Sequence, residues 1–359
     1  MKTKQELNNF LKNNLKQNLK ELDEVRLSLI PMDKKVKFAF RFLLFPTFFL
    51  IITIGMPLLM RFIGSKMEMR GVELMAKELM RLQWSILKSV IGHVELYQVV
   101  ILLLVMSLGI IYFFVKVYFP FLKKRKEYEH LYSIKVKGPI FQFLDKNWKY
   151  TPSHSITLSE YNNSRLAPRQ QDSYSGKDLI EGHFDNVPFK SCEIHTQYFK
   201  EKKETKQWYT IFRGIFFSAE LDNNSSGDII LISKDCVLFR TLVQHIKQKA
   251  FKDVSVNNEA FNRIFKCNAT NEKEFTKALN SKVFRILMQL KECYNGTLGM
   301  SIIGTKLYVT ISTEEEVLKM QKITEGLIDI ERIEKYFEVL QLLKILAVEL
   351  NSQSKLVIY

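Results

Sequence analysis

Two uncharged runs constrain this chain more than anything else in it. FLLFPTFFLIITIGMPLLM fills Phe42 to Met60 between Arg41 and Arg61, and LYQVVILLLVMSLGIIYFFV fills Leu96 to Val115 ahead of Lys116. Coiled as helices, both are long enough to cross a hydrocarbon core of ~30 Å. Pro46, Gly55 and Pro57 fit a membrane span better than a helix in water, because neighbouring groups take up the carbonyls they free. The runs predict a two-span transmembrane helical hairpin, with spans over about 40–62 and 96–118 and an outside helix over 66–94. A cleaved signal peptide is disfavoured, since the first run begins late and no small-residue cleavage site follows it.

The basic residues set an expected orientation. Lys12, Lys16, Lys20, Arg26, Lys34, Lys35 and Lys37 precede the first run, and Lys123, Lys124, Arg125 and Lys126 follow the second. Between the runs, Lys66, Arg70, Lys77, Arg81 and Lys88 are diluted by Glu68, Glu73 and Glu78. An excess of Lys and Arg marks the cytoplasmic side. The chain is therefore expected to be a multi-pass protein of the cell inner membrane with both termini in the cytoplasm. Lys12, Lys16, Lys20, Lys34, Lys35, Lys37, Lys123, Lys124, Arg125 and Lys126 are its candidate membrane-surface residues, placed to meet anionic headgroups.

Two helical stripes flank the runs. Leu7, Leu11, Leu15, Leu19 and Leu22 recur every three or four residues beside Lys12, Lys16 and Lys20, the pattern of an interfacial amphipathic helix. Val72, Met75, Leu79, Leu82 and Ile86 repeat the spacing between the runs. That stripe could extend a span, lie on the outer leaflet or pack against its copy in a homo-oligomer.

Charge narrows the partners. The formal net charge of +15 suits either nucleic acid or an anionic membrane. The basic residues crowd the apolar runs and no base-stacking motif accompanies them, which points to the lipid bilayer and away from nucleic acid. Cys192, Cys236, Cys267 and Cys293 show no paired spacing and read as free thiols.

After residue 123 the pattern becomes that of a mixed domain. Residues 151–177 carry the Pro, Ser, Asn and Gly of a long connection. FKSCEIHTQYF, Phe189 to Phe199, alternates as a half-exposed strand with Cys192 and Ile194 on one face and Ser191, Glu193 and His195 on the other. WYTIFRGIFFSAEL, Trp208 to Leu221, is too short to span a membrane and would place Arg213 near mid-bilayer. It reads as a long central strand, apolar on both faces, with a bulge or bend at Arg213-Gly214. DIILISK, Asp228 to Lys234, reads as the return strand of a hairpin. A helix over about 272–293 capped by Asn271, a hairpin turning at Gly304-Thr305, and a helix over about 330–350 complete the pattern. The expected fold is a membrane-anchored α+β protein: a basic amphipathic helix over 1–37, the hairpin over 38–122, and a cytoplasmic domain over 123–359 with an antiparallel sheet and packed helices.

YSGKDLIEGHF, WYTIFRGIFFSAEL and the LGMSIIGTKLYVTI hairpin with its closing helix occur in that order. In this order of strands the chain resembles the bacterial domain-of-unknown-function family 3137, over roughly residues 123–359. The resemblance implies the architecture and a bacterial inner-membrane setting. It transfers no catalytic residue.

No reactive constellation stands out. His183, Cys192 and His195 form the most suggestive metal-type cluster, yet Cys192 and His195 point to opposite faces of one strand. DNNSSGD, Asp222 to Asp228, begins like a calcium loop but has Ser233 where a bidentate glutamate is needed. Phosphate-cradling, dinucleotide and nucleophile-elbow motifs are missing. No cofactor and no metal are implied. A module presenting its body to a membrane or cytoplasmic protein partner heads the functional readings. A lipid or apolar-ligand binding module, and a small enzyme or transport component, follow it.

Overall fold

The Gly304-Thr305 turn and the strands it joins anchor the fold. In the computed structural model of the chain, Leu298–Ile303 (β8) pairs with Lys306–Ser312 (β9) through Ile303 and Lys306, and Gly304 takes a positive φ of 62°. A two-residue hairpin turn needs that left-handed backbone, which glycine adopts without a Cβ clash. The structure describes residues 3–44, 74–79, 81–82, 85, 96–202, 205–222, 227–236, 251–294 and 296–355. By contacts the chain divides into two compact units: Met1–Glu21 with His130–Tyr359, and Leu22–Glu129.

Among the described residues the larger unit is built on a nine-stranded antiparallel sheet. The other strands are Lys149–Thr151 (β1), Ser173–Phe184 (β2), Val187–Lys202 (β3), Thr205–Glu220 (β4), Ile229–Ser233 (β5), Lys252–Val254 (β6) and Phe265–Ala269 (β7). Their order is β1-β2-β3-β4-β9-β8-β5-β7-β6. The sheet and packed helices are the expected α+β body, but one neighbour relation differs from expectation. β5 pairs with β7 and β8 rather than closing a hairpin on β4. The polar residues between β4 and β5 signalled a turn, and a local turn signal cannot reveal that the β8–β9 hairpin inserts between the two strands.

β4 shows why its sequence is apolar on both faces. Phe216 packs in one layer with Cys192, Ile194, Phe212, Tyr161, Ile230 and Tyr308. Phe217 lies in the other, against Phe184 and Phe189 at centroid distances of 6.1 and 5.9 Å. Gly214 is required by proximity: a Cβ there would sit 2.1 Å from the Ile311 carbonyl of β9. The bulge itself falls slightly earlier, where the β3 register shifts between Thr196 and Gln197 and leaves Ile211 as the extra residue.

β3 is also buried on the face expected to be exposed. Its Ser191 hydroxyl lies 3.4 Å from that of Tyr336, on the helix Ile330–Lys355 that covers this side. Alternation identifies which residues share a face but not whether a helix will cover it. The helix expected over 272–293 is two helices, Glu272–Ala278 and Ser281–Tyr294. Asn280 divides them by accepting the amides of Lys282 and Val283 at 3.0 and 2.9 Å, a fresh N-terminal cap.

The first helix, Lys4–Asn13, opens with a Thr3–Glu6 capping box, and its leucines meet protein. Leu7, Leu11 and Leu15 are buried, Phe10 stacks on Phe143 at 4.3 Å, and Asn8 and Lys4 bond Glu334 at 2.6 and 2.9 Å. Its apolar stripe is thus occupied by the helices that carry Phe143 and Glu334, and its lysine face is left to solvent.

The other unit is helical in its described residues. It contains most of Lys16–Ala39, the π-helical turns Phe40–Leu44 and Phe114–Tyr118, the helix Leu96–Phe113 and most of Phe119–Tyr132. Phe40 meets Phe113 and Tyr118 edge-on at 6.1 and 5.6 Å. Among the described residues one helix is long and apolar enough to cross a membrane, Leu104–Leu144. Its most apolar 18-residue window has a mean hydropathy of 1.8 and is only 6% buried.

This corrects the two-span hairpin to a single candidate span, and the multi-pass inner-membrane topology with cytoplasmic termini falls with it. Apolar length is a condition that a helix must meet to cross a bilayer, and a single described helix meets it. Of the first run, only Phe42–Leu44 lies within the described residues, as does only part of the 66–94 stripe, in which Met75, Leu79 and Leu82 are exposed.

Candidate functional site

A break in the β2 register builds the most strongly perturbed group of side chains in the body. Pairing with β3 shifts between Lys177 and Ile180, and Asp178 takes a φ of 59°. That left-handed backbone is uncommon outside glycine, and aspartate is among the residues that tolerate it. The bulged backbone is held by the loop after β1: the Asp178 amide donates to the Pro152 carbonyl at 2.8 Å, and the Leu179 amide to that of His154 at 3.1 Å.

The Asp178 carboxylate meets two donors. Lys137 Nζ reaches its Oδ2 at 2.7 Å, with both side chains 8% exposed, and the Tyr150 hydroxyl donates to Oδ1. Lys137 closes the π-helical turn Ser133–Lys137, whose extra residue shifts the side chains that follow, and Gly138–Leu144 resumes the helix. Burial, reinforced by the Asp178 charge, raises the Tyr150 hydroxyl well above its ordinary range.

A second carboxylate pair lies next to it. Lys177 Nζ bonds Glu316 Oε2 at 2.7 Å, and Glu193 Oε2 accepts the Val317 amide at 3.3 Å. Burial opposes ionisation of Glu316, but the hydrogen bond from Lys177 and the charges of Lys177, Lys137 and Arg213 prevail and hold it below the usual carboxylate range. Glu193 goes the other way. Burial, with the Glu316 and Asp178 charges, pushes it up to about 7 against the opposing pull of Lys177.

A carboxyl whose folded value exceeds its unfolded one stabilises the fold below about pH 4.5, and that contribution is lost as pH rises to about 7. By pH 8 the penalty is about 3 kcal/mol. Glu193→Gln keeps an acceptor for Val317 and removes the titration. In thermal unfolding of the full chain in detergent, the variant is expected to match the parent near pH 4.5 and exceed it by several degrees at pH 8. An equal offset at both pH values would show that Glu193 is not the titrating group.

Around this cluster there is little room. The adjoining cavity, lined by Tyr132, Lys137, Phe141, Leu318 and Tyr336 among others, holds about 10 Å³, the space of roughly one water and far less than an acyl chain needs. The cluster can hold or release a proton and can lock the loop Thr313–Val317 to the sheet. A wider cleft of about 730 Å³ opens elsewhere in this unit, lined by Glu6, Asp145, Trp148, His183, Asp185 and Lys344 with Leu144, Asn147 and Phe184. Lys344 and Asp185 pair across it at 3.1 Å.

The residues singled out in the sequence do not converge. His183 lines the open cleft, Cys192 is buried in the β3–β4 layer, and His195 on the opposite face of β3 lies 3.1 Å from the Thr210 hydroxyl. Among the described residues no three His, Cys, Asp or Glu side chains are arranged to hold a metal ion. Asp228 bonds Arg165 at 2.7 Å and Asp222 receives the Asn351 amide at 2.9 Å, so both carboxylates of the calcium-like stretch have protein partners. Residues 223–226 between them lie outside the described residues.

Lys12, Lys16, Lys20, Lys34, Lys35, Lys37, Lys123, Lys124, Arg125 and Lys126 are all exposed. Two of them have salt-bridge partners one helical turn away, Lys37 with Asp33 at 2.6 Å and Arg125 with Glu129 at 3.1 Å. Sequence pattern missed Lys137, Asp178 and Glu193. The signal available for Asp178 was its place inside YSGKDLIEGHF, where a charged pair interrupts a strand.

Comparison with known proteins bears on the part of the body that begins in β4. Residues 210–352 match the family described as "Protein of unknown function (DUF3137)". The resemblance stated from the sequence is thus shown over that segment, which includes Glu316 and Tyr336 and leaves out Lys137, Asp178 and Glu193. No curated protein matches the chain. Among solved structures, the chain is similar to the crystal structure of the mycobacterial trehalose monomycolate transport factor A, TtfA, at 8% identity. That likeness covers 55% of this chain and 86% of the other with a TM-score of 0.29, and at such a score it carries no argument.

Proposed function

We propose that the chain is a membrane-tethered binding module, in which an apolar helix keeps the α+β body at a bilayer where it engages protein partners. The observation that carries this reading is the exposure of the helix. Ile101, Leu104, Val105, Leu108, Ile111 and Val115 are each more than half exposed, around a helix window that is almost wholly unburied. In water so much aliphatic surface would be costly, at about 25 cal/mol per Å², whereas in lipid it is at no disadvantage. The same reading gives the ten exposed basic residues an anionic surface to meet, each worth about 1 kcal/mol near a charged leaflet. Tethering raises the local concentration of partners on the same membrane, so weak contacts suffice.

Two arginines in the run supply the test. Leu108→Arg with Ile111→Arg costs roughly 2.5 to 3.5 kcal/mol per residue at mid-span. The doubly substituted chain is expected to leave the membrane fraction on alkaline extraction and to lose the proteins that crosslink to the parent. Replacing Leu96–Val115 by an unrelated apolar helix is expected to preserve both. Membrane retention of the arginine variant would remove the tether, and loss of crosslinks in the swapped chain would move the binding surface into the helix itself.

A further inference from the structure

Between β9 and the helix Ile330–Lys355, residues 313–329 cross the body as neither helix nor strand. A backbone tie holds this strap at its start, the Thr313 amide on the Arg213 carbonyl at 2.9 Å. Its next holds on the sheet are polar. Glu316 Oε2 bonds Lys177 at 2.7 Å, and the Val317 amide donates to Glu193 Oε2 at 3.3 Å, with Val317 and Leu318 buried behind them. Arg332 reaches back to the Glu315 carboxylate at 2.9 Å and the Glu316 carbonyl at 3.3 Å. Both of those side chains are exposed, so water can replace the bonds between them.

Lys177 and Glu193 are register partners on β2 and β3. Side chains paired in this way stand about 5 Å apart on one face of a sheet. One ammonium therefore has two carboxyls within reach, Glu193 on the sheet and Glu316 on the strap. Other elements add to the field. Asp178 lies beside Lys177 and is paired with Lys137, while Lys137 and Arg213 of β4 act on Glu316. Tyr294, at the end of the helix Ser281–Tyr294, faces Glu193 with a hydroxyl that burial keeps neutral, and Arg332 and Tyr336 bring the covering helix close to it.

We propose that the strap is a pH-responsive latch worked by an exchange of partners: when Glu193 releases its proton to solvent, Lys177 passes from Glu316 to Glu193 and the strap lifts from the sheet. With the strap closed, burial and the charges of Glu316 and Asp178 penalise an ionised Glu193, which titrates at about 7. Lifting residues 316–318 wets that carboxyl, takes the Glu316 charge away and leaves Lys177 to Glu193 alone. Each change favours the ionised form, so ionisation favours the open strap, with loss of the Val317 bond opposing it. Below pH 4.5 Glu193 holds its proton in both states and the strap stays closed. The drive to open grows above that value and is complete once pH exceeds about 7.

This inference goes beyond the proposed function and does not depend on the tether. Hydrogen exchange of the full chain in detergent, read by mass spectrometry and corrected for the intrinsic pH dependence of exchange, follows the strap itself. Protection of residues 313–329 should fall about ten-fold or more between pH 5.5 and 8, while Leu298–Ser312 keeps its protection. Glu193→Gln should hold the strap closed at both values. Glu316→Gln separates exchange of partners from burial alone. With no carboxylate on the strap, Lys177 can serve Glu193 while the strap remains down, and the pH response should shrink to roughly three-fold or less. Strap protection that does not change with pH in the parent overturns the latch, as does a response that survives in Glu193→Gln. An undiminished response in Glu316→Gln overturns the exchange of partners. If a variant also loses protection in Leu298–Ser312, its fold has failed and the parent decides. A loss confined to residues 313–329 then supports the latch, and one that spreads through Leu298–Ser312 overturns it.

Discussion

Phe217→Asp is expected to abolish folding of the sheet, whereas His195→Ala, 22 positions earlier on the same face of the paired strands, is expected to leave it nearly intact. Phe217 is fully buried, directly opposite Ser191 and Val309, and within ring contact of Phe184 and Phe189. Removing such a ring costs about 3 to 5 kcal/mol in lost burial and cavity formation. Placing a carboxylate in the vacated space adds several kcal/mol of desolvation. The sum rivals the whole stability of an ordinary domain, about 5 to 15 kcal/mol. His195 is only half-buried, and its ring bonds the exposed Thr210. Its loss should cost about 1 kcal/mol or less. Limited proteolysis of the two full-length variants in detergent makes the comparison. Equal resistance in both would refute the placement of β4 at the centre of the body.

The contrast between these two residues shows what the sequence could convey. The double apolar pattern of Phe212, Ile215, Phe216 and Phe217 can be met in a single strand only by cover on both faces, so β4 was legible at once. So was the β8–β9 hairpin, because a two-residue loop with glycine has few conformations. Features that depend on distant partners were not legible. Glu193 alternates like a solvent residue, and it is buried where a loop more than a hundred residues later, carrying Glu316 and Val317, lies against it. β5 lies beside β8 because of chain topology, which no turn residue encodes.

The long apolar helix was legible for a different reason. A bilayer core imposes one requirement, apolar length, and the run Leu96 to Val115 displays it openly. The same rule applied to Phe42 to Met60 gave a two-span hairpin that the structure does not support. Among the described residues a single helix is long and apolar enough to cross, and of that first run only Phe42–Leu44 lies within them. The site was hidden more deeply still. Lys137, Tyr150 and Asp178 come from three separate elements, and a strand bulge brings their polar atoms together.

That junction yields the second large effect. Lys137 and Asp178 form an almost fully buried ion pair 2.7 Å apart. Coulomb attraction in such a site is offset by the desolvation of both ions, so the intact pair adds little net stability, yet removal of one partner strands the other charge at about 3 to 5 kcal/mol. Asp178→Asn is expected to incur that cost through Lys137, and Lys137→Met through Asp178. Combining Lys137→Met with Asp178→Asn should recover most of the loss. Asparagine tolerates the left-handed backbone at this position and still accepts from Tyr150, while methionine fills the lysine stem's volume without its charge. Each single substitution should lower the unfolding temperature of the full chain in detergent by about 10 °C, and the double variant by only a few degrees. Losses that simply add would show the two charges to be independent. A double variant near the parent would show that the pair costs the fold only when one member is left without the other, and that the bulge holds on its backbone ties to Pro152 and His154.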